Sequence, residues 1–227
     1  MTTIRVPERY QNILSNSKNY AGLMGLSVGK QEFTNLDIMR EYAQFMQDRF
    51  LYGIFLIGDY PKKYNIMALE GVSEKKAEER TRIAGDNMRN ALERITRDYP
   101  LVKVMRWKKF MDEKYSHNLQ VLRASYDNDS QFRSLANEIV GNFLNLPSNR
   151  TKWKTTSPPI AVAKEYLLDE LAGLLAIPFS IPLPVCEIYP ERNELHEQIQ
   201  ARQFPFCKNL LIKDDRVFME AYYEPSN

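Results

Sequence analysis

A serine framed by glycines, Gly25-Leu-Ser27-Val-Gly29-Lys30, closes the first strongly apolar run of the chain. A hydroxyl held in a tight turn at the end of a strand is a candidate nucleophile. Gly25 lets a substrate approach the backbone there, and Gly29 admits unusual dihedrals in the turn. Far along the chain, Glu165-Tyr166-Leu-Leu-Asp169-Glu170 sets Tyr166 and Glu170 four residues apart, hence on one face of a helix. An extended run then ends in Cys186-Glu-Ile-Tyr189-Pro190. Together these residues point to covalent chemistry at Ser27.

Each piece alone has an ordinary structural reading. Ser27 could satisfy a local backbone donor in a loop. Tyr166 and Glu170 could be a helix face with a salt bridge or a partly buried phenol, and Tyr189-Pro190 a strand end. Gly25, Ser27 and Gly29 match the bare Gly-x-Ser-x-Gly pattern, but a hydrolase elbow needs a later histidine. The two histidines are His117 and His196. His196 lies in the polar stretch Glu191-Arg-Asn-Glu-Leu-His-Glu-Gln, which is expected to face solvent.

The elements that must position these groups follow from hydrophobic period and caps. Tyr20–Leu26 reads as a strand after 19 polar residues that form irregular structure or a short edge element. Ser27–Asn35 reads as a loop, with Asn35 capping an amphipathic helix over Leu36–Arg49. Leu51–Ile57, closed by Gly58-Asp59-Tyr-Pro61, has the continuous apolar character of a central parallel strand. A long helix is expected from Ser73 to Arg97, with Ala77, Ala84, Met88, Ala91, Leu92 and Ile95 facing the core. Val102–Trp107 reads as a strand, and Lys109–Ser125 and Ser130–Leu144 as helices. A Ser/Thr/Pro-rich loop follows over Pro147–Pro159. The helix bearing Tyr166 begins near Ile160, and Pro178, Pro182 and Pro184 end it. Asn209–Tyr223 reads as a hairpin turning at Asp214-Asp215. Strands alternating with long helices predict an α/β fold with a mostly parallel sheet. In such sheets sites lie at the carboxyl ends of strands, where Ser27 sits.

The 227 residues, 44% of them hydrophobic and 26% charged, suit one globular domain with a sizeable core. No apolar stretch is long enough to span a membrane, and the N-terminus lacks a signal-peptide core. Cys186 and Cys207 are too few and too far apart for a disulfide scaffold or a zinc site. A cytoplasmic protein is expected. The formal net charge is +2, yet residues 62–114 carry 14 Lys/Arg against 9 Asp/Glu. That sector is a landing place for phosphates or an ordinary solvated face.

In order and spacing, Ser27 in its glycine-containing loop, the Tyr166–Glu170 helical pair and Tyr189 resemble the cyclodipeptide synthases. The resemblance runs from Tyr20 to about Pro190. One branch of that family has an asparagine after the serine loop and a glutamine after the second tyrosine; another has a variable residue and Tyr-Pro. With Lys30 and Tyr189-Pro190 this chain is similar to the second branch, so the asparagine's orienting roles do not transfer to Lys30.

The resemblance implies a Rossmann-like α/β fold, a mostly parallel sheet flanked by helices, similar to the catalytic domain of class I tyrosyl- and tryptophanyl-tRNA synthetases. It implies one catalytic domain over 1–227, a monomer, with aminoacyl-tRNAs as substrates and no metal or cofactor. Ser27 would take the aminoacyl group of a first tRNA, Tyr166 and Glu170 would hold its ammonium, and Tyr189 would position ring closure. Leu23, Gly25, Gly173 and Leu174 would form the side-chain pocket, whose apolar character suggests a large hydrophobic first residue. On the long helix Lys75, Lys76, Arg80, Arg82, Arg89, Arg94 and Arg97 would meet tRNA, extended by Trp107, Lys108 and Lys109; the bland alternative is a solvated helix laced by ion pairs. Two other readings remain open. A serine esterase or acyltransferase would need His117 or His196 beside Ser27. A non-catalytic tRNA-binding module would bind RNA without an adduct on Ser27.

Overall fold

The computed structural model describes residues 3–152, 159–190 and 194–225. Short apolar runs form the central strands β2 (Ala21–Ser27), β3 (Tyr52–Gly58) and β5 (Val185–Tyr189), and the more polar β1 (Thr3–Arg5), β4 (Val102–Arg106), β6 (Arg216–Glu220) and β7 (Tyr222–Glu224) complete the strands of the described residues. The helices are α1 (Gln11–Ser15), α2 (Gln31–Thr34), α3 (Leu36–Arg49), α4 (Lys62–Glu70), α5 (Glu74–Thr96), α6 (Glu113–Asn128), α7 (Ser130–Asn145), α8 (Pro147–Arg150), α9 (Ile160–Ala176) and α10 (Glu194–Gln200). Five strands pair in parallel in the order β4-β3-β2-β5-β6, and β1 pairs antiparallel with β7. Asn35 caps α3 as expected, its side chain accepting from the Asp37 and Ile38 amides.

The alternation of each strand divides the core between the two faces of the sheet. Met24, Leu26, Phe55 and Ile57 pack with Met39, Tyr42 and Met46 of α3 and Met88, Leu92 and Ile95 of α5. Leu23, Ile54 and Leu56 point the other way, toward Trp107, Phe110 and Ile177. Beyond that face a helical layer gathers Leu122, Phe132, Leu168, Leu171, Leu195 and Phe206. Ala77, Met88, Leu92 and Ile95 of the expected α5 core face are buried, whereas Ala84 and Ala91 are only partly covered.

Several expectations are corrected. The tail is no hairpin: β6 pairs in parallel with β5, and β7 leaves for β1. Asp214-Asp215 instead leads into β6, the Asp215 carbonyl accepting from the Val185 amide at 3.1 Å. The loop after Ser27 contains the helical turn α2, and α4 and α10 are additional helices. The helix expected from Lys109 begins at Glu113, capped by Asp112, after a 3₁₀ turn over Trp107–Phe110. Of the loop expected at Pro147–Pro159, residues 153–158 lie outside the described residues, and so does the start of the polar stretch at 191–193.

Polar contacts fix α9 among its neighbours. Buried Lys63 of α4 donates to Glu74 at 2.7 Å and Glu78 at 2.8 Å, tying α4 to α5. Arg123 of α6 donates twice to Glu165 of α9, at 3.0 and 2.8 Å. Asp169 of α9 is 1% exposed between these groups. Burial pushes its carboxyl up to about 6, against the pull of Tyr115, Lys63 and Arg123. A carboxyl with a raised folded pKa binds its proton more tightly when folded. Its contribution to stability is therefore intact below about pH 4 and is lost as pH rises to about 6. Asp169→Asn should accordingly gain stability relative to the parent between pH 4 and 7, on the order of 2–3 kcal/mol. Urea unfolding at both pH values measures this, and equal differences at the two would contradict it.

Candidate active site

The sheet reverses its order at β2. The chain runs from β2 outward through β3 and β4, then returns to place β5 and β6 on the other side of β2. Such a reversal opens a crevice at the carboxyl ends of the two strands that flank it. Ser27 is the last residue of β2 and Tyr189 the last of β5. Beyond Ser27 the chain turns sharply. The Lys30 amide donates to the Ser27 carbonyl at 3.2 Å, and Gly29 takes φ 85°, a value that favours glycine.

α9 crosses this crevice and completes it. The Tyr166 hydroxyl donates to Glu170 Oε1 at 2.9 Å, and Ser27 makes a side-chain hydrogen bond with Tyr166. Burial, with the Glu170 charge added, raises the Tyr166 phenol well above its ordinary value, so it stays protonated. Burial also raises the Glu170 carboxyl, while the Tyr166 hydrogen bond and Lys62 draw it down. Tyr189 is near enough to act electrostatically on Tyr166. Its ring is met edge-on by Phe33 at 6.2 Å and covered by the Lys30 ammonium at 5.1 Å. The four residues singled out from sequence thus come together around one serine hydroxyl, with a phenol and a carboxylate in line behind it.

Ser27, Glu170 and Tyr189 open onto a cavity of about 90 Å³. Leu23, Gly25 and Leu174 also line it, and a Cβ at Gly25 would enter open space. Gly173 does not line it. A Cβ there would lie 2.0 Å from the Trp107 ring, so Gly173 instead lets that indole pack against α9 and form a cavity wall. Trp107 is 3% exposed and therefore no part of a basic surface. A glycine within an otherwise strongly helix-forming stretch was the sequence signal for that close approach.

Glu187, His196 and Phe218 also line the cavity, and of these the sequence reading singles out only His196. Glu187 shares a strand face with Val185 and Tyr189, so a glutamate at the middle of this apolar strand was the available signal. It is paired with buried Arg216. His196 is 1% exposed, not solvent-facing, because α10 turns Leu195, His196 and Ile199 inward. Arg216 lies 2.8 Å from its Nε2 and Glu187 Oε2 lies 3.4 Å from its Nδ1. Burial and Arg216 hold the imidazole well below its ordinary pKa. With both nitrogens engaged, His196 is a poor base for Ser27. His117 is exposed and bonds the Asn209 carbonyl at 2.8 Å through Nε2, outside the residues that line the cavity.

The six cations expected on α5, Lys75, Lys76, Arg80, Arg82, Arg89 and Arg94, and Arg97 just past its end are all exposed. Arg80 pairs with Glu70, Arg82 with Asp86 at 3.0 Å and Arg89 with Glu93 at 2.7 Å. Lys108 and Lys109 are exposed as well. Among the described residues no cluster of three or more His, Cys, Asp or Glu could hold a metal ion, and no helix is long and apolar enough to cross a membrane.

The Gly173–Trp107 contact generates a direct test. Gly173→Ala should drive the indole into the cavity and destabilise the fold by roughly 1–3 kcal/mol. Thermal unfolding with indole fluorescence reports both changes, and an unshifted emission with parental stability would refute the contact.

A comparison with curated protein sequences finds no match. Among solved structures, a cyclodipeptide synthase from Fluoribacter dumoffii superposes with a TM-score of 0.81 at 13% identity, covering 100% of both chains. One from Staphylococcus haemolyticus gives 0.77 at 17% identity over 99% of this chain and 100% of its own. A Mycobacterium tuberculosis protein, described as showing that these enzymes are related to type I tRNA synthetases, gives 0.73 at 18% identity over 98% and 93%. The α/β fold is accordingly Rossmann-like and related to the class I tRNA-synthetase catalytic domain. The family model described as cyclodipeptide synthase matches residues 9–210. That stretch holds Ser27, the Tyr166–Glu170 pair and Tyr189, and on it the chain belongs to the cyclodipeptide synthase family.

Proposed function

We propose that Ser27 is the nucleophile of the family's reaction, the tRNA-dependent formation of a diketopiperazine. The observation that carries this is the contiguous Ser27–Tyr166–Glu170 hydrogen-bonded line at the strand-order reversal. An aminoacyl ester is already activated, so a positioned hydroxyl suffices to attack it. Ser27 Oγ bonds the carbonyl carbon of the first aminoacyl group; the bond to the tRNA ribose breaks and the ribose oxygen takes the proton. Glu170 and Tyr166 hold the ammonium of the captured group, and Glu170 accepts its proton. The freed amine attacks the ester carbonyl of the second aminoacyl-tRNA; the bond to that tRNA's ribose breaks, the ribose oxygen takes the proton lost by the amine, and a dipeptidyl group is left on Ser27. Its terminal amine then attacks the Ser27 ester, closing the ring and returning the proton to Oγ. Tyr189, held by Phe33 and Lys30, positions that closure.

Lys30 and the Tyr189-Pro190 pair favour the Tyr-Pro branch. The walls formed by Leu23, Leu174 and Trp107 suit a large apolar body in the captured group, with Gly25 leaving it room. One domain acting as a monomer in the cytoplasm, where charged tRNA is abundant, fits this reading. The esterase alternative lacks a free imidazole at the serine. A relative from Candidatus Glomeribacter gigasporarum has been solved bound to Phe-tRNAPhe, with a TM-score of 0.69 at 18% identity over 96% of this chain and 95% of its own. On this chain the exposed cations of α5 supply a surface for such a partner, through phosphates and shape.

Two experiments test the reading. Intact-protein mass spectrometry with charged tRNAs should show an aminoacyl mass on the parent and none on Ser27→Ala, with diketopiperazine lost in Ser27→Ala and cut by about 100-fold or more in Glu170→Gln. Normal turnover by Ser27→Ala would end the covalent scheme. Charge reversal at Lys75, Lys76, Arg94 and Arg97 together should weaken tRNA binding by at least about tenfold and flatten its salt dependence; unchanged binding would move the RNA surface elsewhere.

A further inference from the structure

Resting on that synthase reading, the geometry points to a preference for one amino-acid class: we propose that the cavity selects an aromatic side chain tipped with a neutral hydrogen-bond donor, tyrosine or tryptophan, whose donor meets Glu187.

Parallel pairing sets Leu23 of β2 beside Glu187 of β5, and Glu187 beside Phe218 of β6. All three line the cavity that begins at Ser27. The walls are apolar and aromatic up to this point, and then a carboxylate faces the space. A charge buried in a strand is costly unless it is paired. Here Arg216 supplies the countercharge and the neutral His196 adds a contact at 3.4 Å. With Arg216 donating to Nε2, the His196 proton sits on Nδ1, toward Glu187. Glu187 has about four lone-pair sites, so these two partners leave acceptor capacity toward the cavity. As a purely structural clamp between β5, β6 and α10 the cluster would be sealed from the cavity, yet Glu187 and His196 both line it.

The charge balance narrows the ligand. The Glu187–Arg216 pair sums to zero. A cationic side chain would set a second positive charge against Arg216, and an anionic one would face Glu187 directly. A neutral N–H or O–H on an apolar body meets neither penalty. Tyrosine and tryptophan have that form, an aromatic ring with one polar tip. Phenylalanine and leucine would fill the walls but make no use of the acceptor capacity that Glu187 keeps beside Arg216 and His196.

The test is competition. Purified enzyme receives tRNAs charged with tyrosine, tryptophan, phenylalanine and leucine at equal concentration, and the diketopiperazines are quantified by mass spectrometry. The parent should favour tyrosine- or tryptophan-containing rings by about tenfold or more. Glu187→Leu combined with Arg216→Met removes both charges together, so neither is stranded, and should shift the ratio toward phenylalanine and leucine by a similar factor. Rings from the parent that hold only phenylalanine or leucine, or a ratio unmoved in an active double variant, would overturn the inference and leave the synthase reading intact. If the double variant does not fold, the parent's ratio decides alone. No ring from the parent with any of the four would count against the inference, and no ring from a full set of charged tRNAs would bring down the synthase reading with it.

Discussion

The parting of two parallel strands governs this structure. β2 and β5 pair over four residues, Ala21–Met24 against Val185–Ile188, and then diverge. β2 continues with β3 as far as Ser27 opposite Gly58, while β5 stays with β6 through Tyr189 opposite Glu220. Backbone groups past the point of divergence lose their ladder partners, and the space between is filled by side chains and left open to a ligand. Ser27 and Tyr189 stand on its two banks because each ends its strand there. Every other feature of the site adapts to that opening.

α9 is what roofs the opening, and it is held from both sides. Its apolar residues pack into the helical layer, while Gly173 lets Trp107 press close enough to wall the cavity. The consequence reaches Glu170 and Tyr166, about one and two turns back along the same helix. They face Ser27 only while α9 keeps this depth and rotation. The paired hydrogen bonds from Arg123 to Glu165 help set that rotation, because they are directional where apolar packing is not.

Much of this was legible because it is local. The strand before Ser27, the apolar run ending at Gly58, the Asn35 cap and the long helix ending near Arg97 each declare themselves within a window of about a dozen residues. Ser27, Tyr166, Glu170 and Tyr189 were legible through their order and spacing. What was missed depends on distant partners. Asp214-Asp215 looks like a hairpin turn, but whether the strand after it pairs with its neighbour in sequence or with β5 is decided by the sheet, not by the turn. Lys63 looks solvated and is buried because Glu74 and Glu78 reach it from α5. His196 sits among polar residues, yet Leu195 and Ile199 mark the inward side of a helix too short to show a period. Trp107 was assigned to a basic surface because its neighbours are lysines, whereas its own size and shape direct it against a glycine.

The outer face of α5 arranges its arginines in pairs with carboxylates one turn away, Arg82 with Asp86 and Arg89 with Glu93. A polyanion meeting these two pairs would exchange phosphate for carboxylate on guanidinium groups already in place. Little side-chain entropy is lost in such a swap, and little net attraction is gained, since the displaced carboxylates remain nearby and repel the newcomer. Docking on those terms would be quick to form and quick to undo. A reaction that consumes two large nucleic acids for each small ring needs that kind of grip, because every turnover ends with two discharged carriers that must leave.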